Sequence, residues 1–205
     1  LVTGDSNNAP DLSELAGLRS EEAEMLLELG RHAEALAAQE GVVEMLRSAK
    51  AASPETRRLH AMATCAWRAT RALPDAREDY LQARVLLTDL LASDSARTDV
   101  KRDLSLVHER VGDASLQAKN IQAAREAFEA CLALRRELVA RAQANTEWQR
   151  DLSGALERVA GMHALQGRHR DADLVFAETL TMRQRAHDSD PSNVVKMRDL
   201  AVLWM

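Results

Sequence analysis

The chain has 205 residues, of which 46% are apolar, 3% aromatic and 29% charged, with a formal net charge of −5. The negative charge argues against a general nucleic-acid binder, which needs a basic surface stripe, and the few prolines and glycines leave little room for a sheet. No apolar run approaches about 18 residues and no basic-then-apolar leader opens the sequence, so we expect no membrane span and no signal peptide. Cys65 and Cys131 have no paired spacing, which favours two reduced core residues in a cytoplasmic protein.

The first predicted elements follow a short polar stretch. Residues 1–10 contain Thr, Gly, Asp, Ser and two Asn and predict a flexible leader. From Asp11 the apolar residues recur at helical spacing up to Gly30, where a first helix is predicted to end. A second helix is predicted to run through Leu36 to about Lys50, so the two form a hairpin.

The second predicted hairpin begins at Ser53-Pro54-Glu55, where a capping residue, a first-position proline and an early acid coincide. Its turn is predicted at residues 73–76, and its second helix continues through Tyr80 to Leu91. Ala76 and Tyr80 lie 48 residues before Ala124 and Phe128, which indicates that the same unit returns.

From residue 101 one unit occurs twice and begins a third time. Arg102-Asp103-Leu104-Ser105 returns 48 residues later as Arg150-Asp151-Leu152-Ser153, and Arg198-Asp199-Leu200 opens another copy. Self-similarity at a fixed period of roughly 20–50 residues is typical of a repeat array. Each copy predicts two helices that meet at Lys119-Asn120 or Gly167-Arg168, because Asn and Gly tolerate the left-handed conformation that closes a helix.

The next unit is predicted to start at Asp190-Pro191, with Asp as the cap and Pro at the first helical position. The sequence therefore predicts a leader, four hairpins and the start of a fifth within a helical repeat domain spanning 11–205. The predicted segments are 1–10, 11–52, 53–95, 96–143, 144–189 and 190–205.

Three recurring features resemble the tetratricopeptide repeat (TPR). A small residue lies late in the first helix of a hairpin (helix A), an Ala lies early in the second (helix B), and an aromatic residue follows four positions later. The matching pairs are Gly112 with Ala160, Ala124 with Ala172, and Phe128 with Phe176. The resemblance implies an all-α solenoid of antiparallel helical hairpins with a right-handed superhelix. The period of 48 residues exceeds the usual period of about 34, which we interpret as longer helices.

The resemblance also implies which residues are buried and which face a partner. The Ala residues belong at close helix crossings and the aromatic residues between adjacent hairpins: Ala76, Ala124, Ala172, Tyr80, Phe128 and Phe176. Inner-face positions of helix A belong on a concave groove that holds a peptide or helical segment of a partner: Glu24, Arg58, Ala61, Cys65, Leu106, Glu109, Asp113, Leu116, Glu157, Gly161 and Ala164.

The chemistry of that predicted groove indicates the kind of partner. The best-known groove of the family clamps a C-terminal carboxylate with Lys and Asn, but Asp113 and Gly161 stand in place of the Asn, and Glu stands in place of a Lys. The carboxylate clamp is therefore absent. Acids beside small residues predict a basic or amphipathic segment bound through Glu109, Asp113 and Glu157, with ordinary solvated acids as the open alternative.

No motif in the sequence predicts an enzyme. There is no Gly-rich phosphate loop, no H-E-x-x-H and no G-x-S-x-G, so we expect no catalytic residue, no cofactor and no metal. The polar cluster at 167–171 lies on a turn and is interpreted as solvated. The recurring Arg102-Asp103 and Arg150-Asp151 pairs are interpreted as helix-start and stacking contacts.

Two functions of different classes stay open. The first is a non-catalytic protein–protein interaction scaffold that binds a segment in its groove or packs against a sister domain. The opening at 148–153 resembles repeats appended to bacterial signalling enzymes. The second is a small-ligand or peptide sensor with a pocket inside the superhelix. A related alternative, a helical-repeat RNA-binding protein, is disfavoured because such proteins have a shorter repeat period and usually more positive charge than this chain.

The two ends of the sequence predict contacts beyond it. Leu200, Leu203 and Trp204 form the apolar face of a helix A without its helix B, and a solenoid normally closes with a polar cap. We expect self-association through these residues or a longer array, and the start at Leu1 rather than Met favours the longer array.

Overall fold

The computed structural model describes residues 9–47, 54–71 and 76–201. The described residues form nine α-helices and no strand, which confirms the predicted all-α class. The helices are α1 (Ala9–Glu28), α2 (His32–Arg47), α3 (Pro54–Arg71), α4 (Ala76–Ser93), α5 (Thr98–Gln117), α6 (Ile121–Arg141), α7 (Thr146–Leu165), α8 (His169–Ser189) and α9 (Val194–Ala201).

The chain divides into two compact units, Leu1–Ala114 and Ser115–Met205. In the first unit α1 packs on α2 and α3, and α3 also packs on α2 and α4. In the second unit α7 packs on α6 and α8, and α8 packs on α9. Most of these contacts join helices adjacent in sequence, as expected for stacked hairpins that bury their apolar faces on their neighbours.

Each unit has its own apolar core. In the first unit Ala16 of α1 packs with three aliphatic residues of α2 and with Ala63 of α3. In the second unit four residues of α6 and five of α7 form one cluster: Ala124, Phe128, Cys131, Leu132, Leu152, Ala155, Leu156, Val159 and Met162. Ala124 and Ala172 are both buried, as predicted for close helix crossings.

The turn that closes helix A is the same in three hairpins. Gly30 and Gly167 have φ values of 72° and 73°, and Lys119 has φ 57°. In each case the N–H of this residue donates to the carbonyl three positions back, and the next N–H donates to the carbonyl five positions back. This pair of bonds is the Schellman motif, which satisfies carbonyls left over at a helix end. The predicted turn is correct in place, but Lys119 rather than Asn120 has the left-handed conformation.

Asparagine caps begin α6, α7 and α9, whereas the N-cap Arg168 of α8 makes no side-chain cap bond. The Asn120 side chain accepts a hydrogen bond from the Ala123 N–H at 3.1 Å, and Asn145 accepts one from the Trp148 N–H at 3.0 Å. The predicted cap at Asp190-Pro191 is wrong: α9 begins at Val194, and Asn193 accepts from the Val195 N–H at 3.1 Å. A short turn, in which the Asn193 N–H donates to the Asp190 carbonyl, delays the helix.

The predicted aromatic positions differ in burial. Tyr80 and Phe128 are buried, at 5% and 1% exposure, which confirms their prediction. Phe176 is 39% exposed, so its predicted burial is wrong. The reason is the difference in cover by the following helix. Phe128 of α6 shares a core with five residues of α7, whereas α8 is followed by only eight described residues of α9.

Several predictions fall outside the described residues. These concern residues 1–8 of the leader predicted at 1–10, most of the turn at 73–76, and Leu203 and Trp204 near the end of the chain. The last two residues of the predicted leader, Ala9 and Pro10, belong to α1, so the leader prediction is wrong there. The side chain of Ala76 also lies outside the described part.

Replacing Phe128 and Phe176 by Ala tests the unequal burial. We expect Phe128→Ala to lower the free energy of unfolding by about 3–5 kcal/mol, because it leaves a cavity inside the α6–α7 core. Phe176→Ala is expected to lower the free energy of unfolding by only about 1 kcal/mol, because Phe176 is already partly exposed. Urea denaturation followed by circular dichroism measures both, and equal losses would contradict the difference in packing.

Replacing Lys119 by Gly tests the strain of the turn. A non-Gly residue in the left-handed conformation costs roughly 1–2 kcal/mol in the folded state. Gly removes this strain, but it also raises the conformational entropy of the unfolded chain, which cancels part of the gain. We expect Lys119→Gly to raise the free energy of unfolding by about 0.5–1 kcal/mol. The matched change Gly167→Ala is expected to lower it by about 1 kcal/mol, and thermal denaturation checks both signs.

Candidate functional site

The recurring Arg-Asp motif forms contacts between successive A helices. Arg58 of α3 donates through Nε to Asp103 of α5 at 2.5 Å, and Arg150 of α7 donates through Nε to Asp199 of α9 at 2.8 Å. In both places an Arg of one A helix pairs with the motif Asp of the following A helix. Arg150 belongs to the motif itself, whereas Arg58 does not. The contact supports the interpretation of the motif as a stacking device.

An ion network strengthens this contact in the first unit. Arg58 also reaches Glu55 at 2.6 Å and Asp99 at 3.1 Å, and Arg97 bridges Glu55 at 2.8 Å and Asp99 at 2.5 Å. The hydrogen bonds from Arg97 lower the pKa of Asp99 to about 2. The network ties the start of α3 to the start of α5, and Arg58 takes part in three of its ion pairs.

A second repeated arginine was not found from the sequence. Arg135 of α6 is 5% exposed and donates to the Asp151 carbonyl at 2.7 Å. Arg183 of α8, which lies 48 residues later, donates to the Asp199 carbonyl at 2.6 Å. The signal that identifies them is the recurrence of the same residue, Arg, at the 48-residue repeat offset.

A cavity of about 300 Å³ lies within the first unit between α1, α2, α3 and α5. Most of its wall is aliphatic, and a few polar side chains join it. The lining residues are Ala16, Gly17, Ser20, Glu24, Gln39, Val42, Leu46, Leu59, Met62, Ala63, Cys65, Leu106 and Arg110. Apolar walls with a few polar groups are typical of binding pockets.

The cavity brings together three of the predicted groove residues. Glu24 of α1, Cys65 of α3 and Leu106 of α5 all line it, although they are distant in sequence. Glu24 is exposed, and Cys65 is buried at 3% exposure. Burial raises the pKa of the Cys65 thiol to about 12, so this side chain is a protonated wall group rather than a nucleophile.

Two charged side chains of opposite sign line the same cavity. Among the described residues, neither Glu24 nor Arg110 forms an ion pair or hydrogen bond with another side chain. Arg110 lies near enough to Cys65 to oppose the rise in the pKa of its thiol. The cavity thus has an apolar interior with one carboxylate and one guanidinium in its wall.

The remaining predicted groove residues have other surroundings. Ala61 is buried at 5% exposure, and Glu109 and Asp113 are half-buried on α5. In the second unit Leu116 packs on the α6–α7 core, and Glu157 forms an ion pair with Arg183. Gly161 and Ala164 are half-buried on α7.

Residues 9–47, 54–71 and 76–201 contain neither a candidate metal site nor a candidate membrane-spanning helix. This part of the chain contains no group of three or more His, Cys, Asp or Glu side chains placed to hold a metal ion. Nor does it contain a helix long and apolar enough to cross a membrane.

His108 of α5 predicts acid sensitivity. Burial lowers the pKa of His108 from 6.5 to about 4, and Arg84 adds to the decrease. Its Nδ1 is buried and has no hydrogen-bond partner among the described residues. Between these two pH values the unfolded chain binds a proton that the folded chain does not, so stability falls as the pH falls from 6.5 to about 4.

Replacing His108 by Gln is expected to remove this proton uptake. As the pH falls over that range, the free energy of unfolding of the wild-type chain should decrease by about 2 kcal/mol more than that of the His108→Gln variant. This figure allows for the partial exposure of His108. The same substitution at the exposed His32, His32→Gln, provides the matched control. Urea titrations at a series of pH values measure the slopes, and parallel slopes for wild type and His108→Gln would contradict the assignment.

No protein-family description and no curated protein matches the chain, so the likeness to known proteins rests on structure. BtubC (BKLC) from P. vanneervenii is 12% identical over 96% of this chain and 74% of its own, with a TM-score of 0.64. A kinesin light chain from P. anserina with TPR-like repeats is 15% identical over 94% and 86%, with a TM-score of 0.57. The yeast histone chaperone Hif1 is 12% identical over 96% and 94%, with a TM-score of 0.55.

At these low identities the likeness shows the fold alone. The similar structures and the nine packed helices agree with the resemblance in the repeated sequence. The chain has the tetratricopeptide-type helical-repeat fold.

Proposed function

We infer that this chain is a non-catalytic protein-interaction scaffold whose first unit binds a peptide or helical segment of a partner protein. The observation that carries the proposal is the cavity, which has apolar walls and two charges of opposite sign that have no side-chain partner in the described part of the chain. Hif1 is described as a scaffold protein that recruits protein complexes to core histones, and it supports this class of function. The free, buried Cys65 and Cys131 fit a cytoplasmic location, which is part of the proposal.

The dimensions and chemistry of the cavity indicate how a segment would bind. A volume of about 300 Å³ accepts one large apolar side chain, or two small ones, of an inserted segment. A Lys or Arg next to that anchor would meet the exposed Glu24, and an acidic group would meet Arg110. The proposed partner is therefore an amphipathic segment with an apolar anchor and a neighbouring basic residue.

The acids predicted to bind the partner contribute unequally to this proposal. Glu157 forms an ion pair with Arg183, and burial raises the pKa of Glu157 although Arg183 opposes the rise. Reversal of its charge would also break that ion pair, so a loss of binding would be ambiguous. Glu24 has no such partner among the described residues, and Glu24→Lys is the cleaner test of electrostatic attraction.

A second candidate function is favoured by the same pair of charges. A small zwitterion with an apolar side chain has an amine for Glu24, a carboxylate for Arg110 and an aliphatic group for the cavity wall. Such a ligand would make the first unit a small-ligand sensor. Thermal-shift measurements with free aliphatic amino acids and with selected peptides separate the two functions, because a scaffold responds to the peptides alone.

A variant that fills the cavity without disturbing the fold tests both functions. A Cβ added at Gly17 meets no atom within 4 Å, and Gly17 lines the cavity. The Leu side chain of Gly17→Leu therefore projects toward the space that a ligand would occupy. Gly41→Leu is the matched control, because Gly41 of α2 has equal space and does not line the cavity.

Peptides selected from a random library on the wild-type chain provide the probe. We expect Gly17→Leu to weaken their binding by about tenfold or more, and Gly41→Leu to leave it within about twofold. Rising salt should weaken binding to the wild-type chain and have less effect on Glu24→Lys. Fluorescence anisotropy measures these affinities, and selected peptides that bind Gly17→Leu as tightly as wild type would show that the cavity is not the site.

A further inference from the structure

Helix α1 has an exposed apolar stripe on the side away from its buried residues. Leu15, Leu18, Met25 and Leu29 are 44%, 59%, 58% and 70% exposed. Their spacings of three, seven and four residues place them along one face of the helix. Scattered exposed aliphatic residues are normal on protein surfaces, but a continuous stripe along a helix indicates a contact surface.

The repeat relates α1 to α7 residue by residue. Gly30 and Gly167 close these helices with matching φ values and the same pair of hydrogen bonds. When these glycines are aligned, Gly17 coincides with Gly154, and Ala23 coincides with Ala160. The two alanines are each 0% exposed. The two helices therefore correspond along their length, including the side that each buries.

In α7 the face that corresponds to the stripe is covered. On this alignment Leu15, Leu18, Glu22 and Met25 correspond to four residues of α7 with 6%, 1%, 5% and 2% exposure, namely Leu152, Ala155, Val159 and Met162. They belong to the cluster formed with α6, the B helix that precedes α7. The same face of α1 thus has the pattern of a helix-packing surface and is exposed to solvent.

The charges around the stripe indicate what can cover it. Glu22 occupies the position of Val159 in the middle of the stripe, and Glu14, Glu21 and Glu28 follow along one border. All four are exposed. A second copy of this chain that used the same face would bring these acids together, which is unfavourable. A helix with Lys or Arg beside its apolar residues would neutralise them.

We propose that the α1 stripe docks an amphipathic, basic helix of a partner protein in the position that α6 takes on α7. Glu22 argues for a reversible contact, because a carboxylate in a permanent apolar core is costly unless a cation meets it. The occupant therefore has apolar residues at helical spacing and a basic residue that faces Glu22. This surface lies apart from the cavity residues of α1, which are Ala16, Gly17, Ser20 and Glu24.

A synthetic peptide with the α6 sequence Ile121–Arg141 is the probe, because that sequence covers the corresponding face of α7. Cys131 is replaced by Ala in the peptide to prevent oxidation. The peptide contains four Arg and three Glu and is therefore slightly basic. We expect the peptide to bind the full chain. We expect the double variant Leu18→Glu, Met25→Glu to bind the peptide at least about tenfold more weakly than the wild-type chain does. Both residues are exposed, and circular dichroism verifies that the variant is folded.

Two further variants make the test specific. Leu174 of α8 is 71% exposed, and Leu174→Glu adds one negative charge outside the stripe, so it should leave peptide binding unchanged. Glu22→Val restores the residue that α6 meets on α7, so it should tighten peptide binding and reduce its salt dependence. Gly17→Leu fills the cavity and should leave this binding unchanged, which separates this proposal from the proposed function.

Three outcomes would overturn the proposal. The first is failure of the peptide to bind both the wild-type chain and Glu22→Val. The second is equal binding to the wild-type chain and to the double variant. The third is a concentration-dependent dimer in sedimentation velocity that Leu18→Glu abolishes, since that result would make a second copy the occupant.

Discussion

The burial of each A helix against the B helices beside it is the contact on which the rest of the structure depends. Helix α7 shows this burial on both sides, because it packs on both α6 and α8, and its residue Leu156 is 0% exposed. An A helix in this fold therefore has two apolar sides, and it is stable in water only when both are covered or when polar residues interrupt one of them. The interruption of the α1 stripe by Glu22 follows from this requirement.

Apolar burial supplies the stability, and the repeated arginines fix how successive units align. The exposed ion pair between Arg150 and Asp199 is worth at most about 1 kcal/mol. The buried Arg135 has a different role, because its guanidinium would lose its hydrogen bond if α6 shifted along α7 away from the Asp151 carbonyl. Arg183 makes the equivalent bond to Asp199, so the alignment of α6 on α7 is repeated by α8 on α9.

The repeat in the sequence predicted what depends on local chemistry, and it missed what depends on distant contacts. The all-α class and the places of the turns followed from periodicity, from Gly30 and Gly167, and from the 48-residue offset. The same offset from Asn145 would have identified the Asn193 cap. The left-handed conformation of Lys119 had no local signal, because the motif around it imposes that conformation on an ordinary side chain. The cavity was also beyond prediction, since its walls come from four helices whose separation no repeat count supplies.

Helix α1 combines the two proposed contact surfaces because consecutive helical residues point about 100° apart. Gly17 lies in the cavity wall, and Leu18, the next residue, lies on the exposed stripe. Gly17, Ser20 and Glu24 follow one side of the helix, whereas Leu18 and Met25 follow another. A segment in the cavity and a helix on the stripe would therefore meet different side chains of one rigid element.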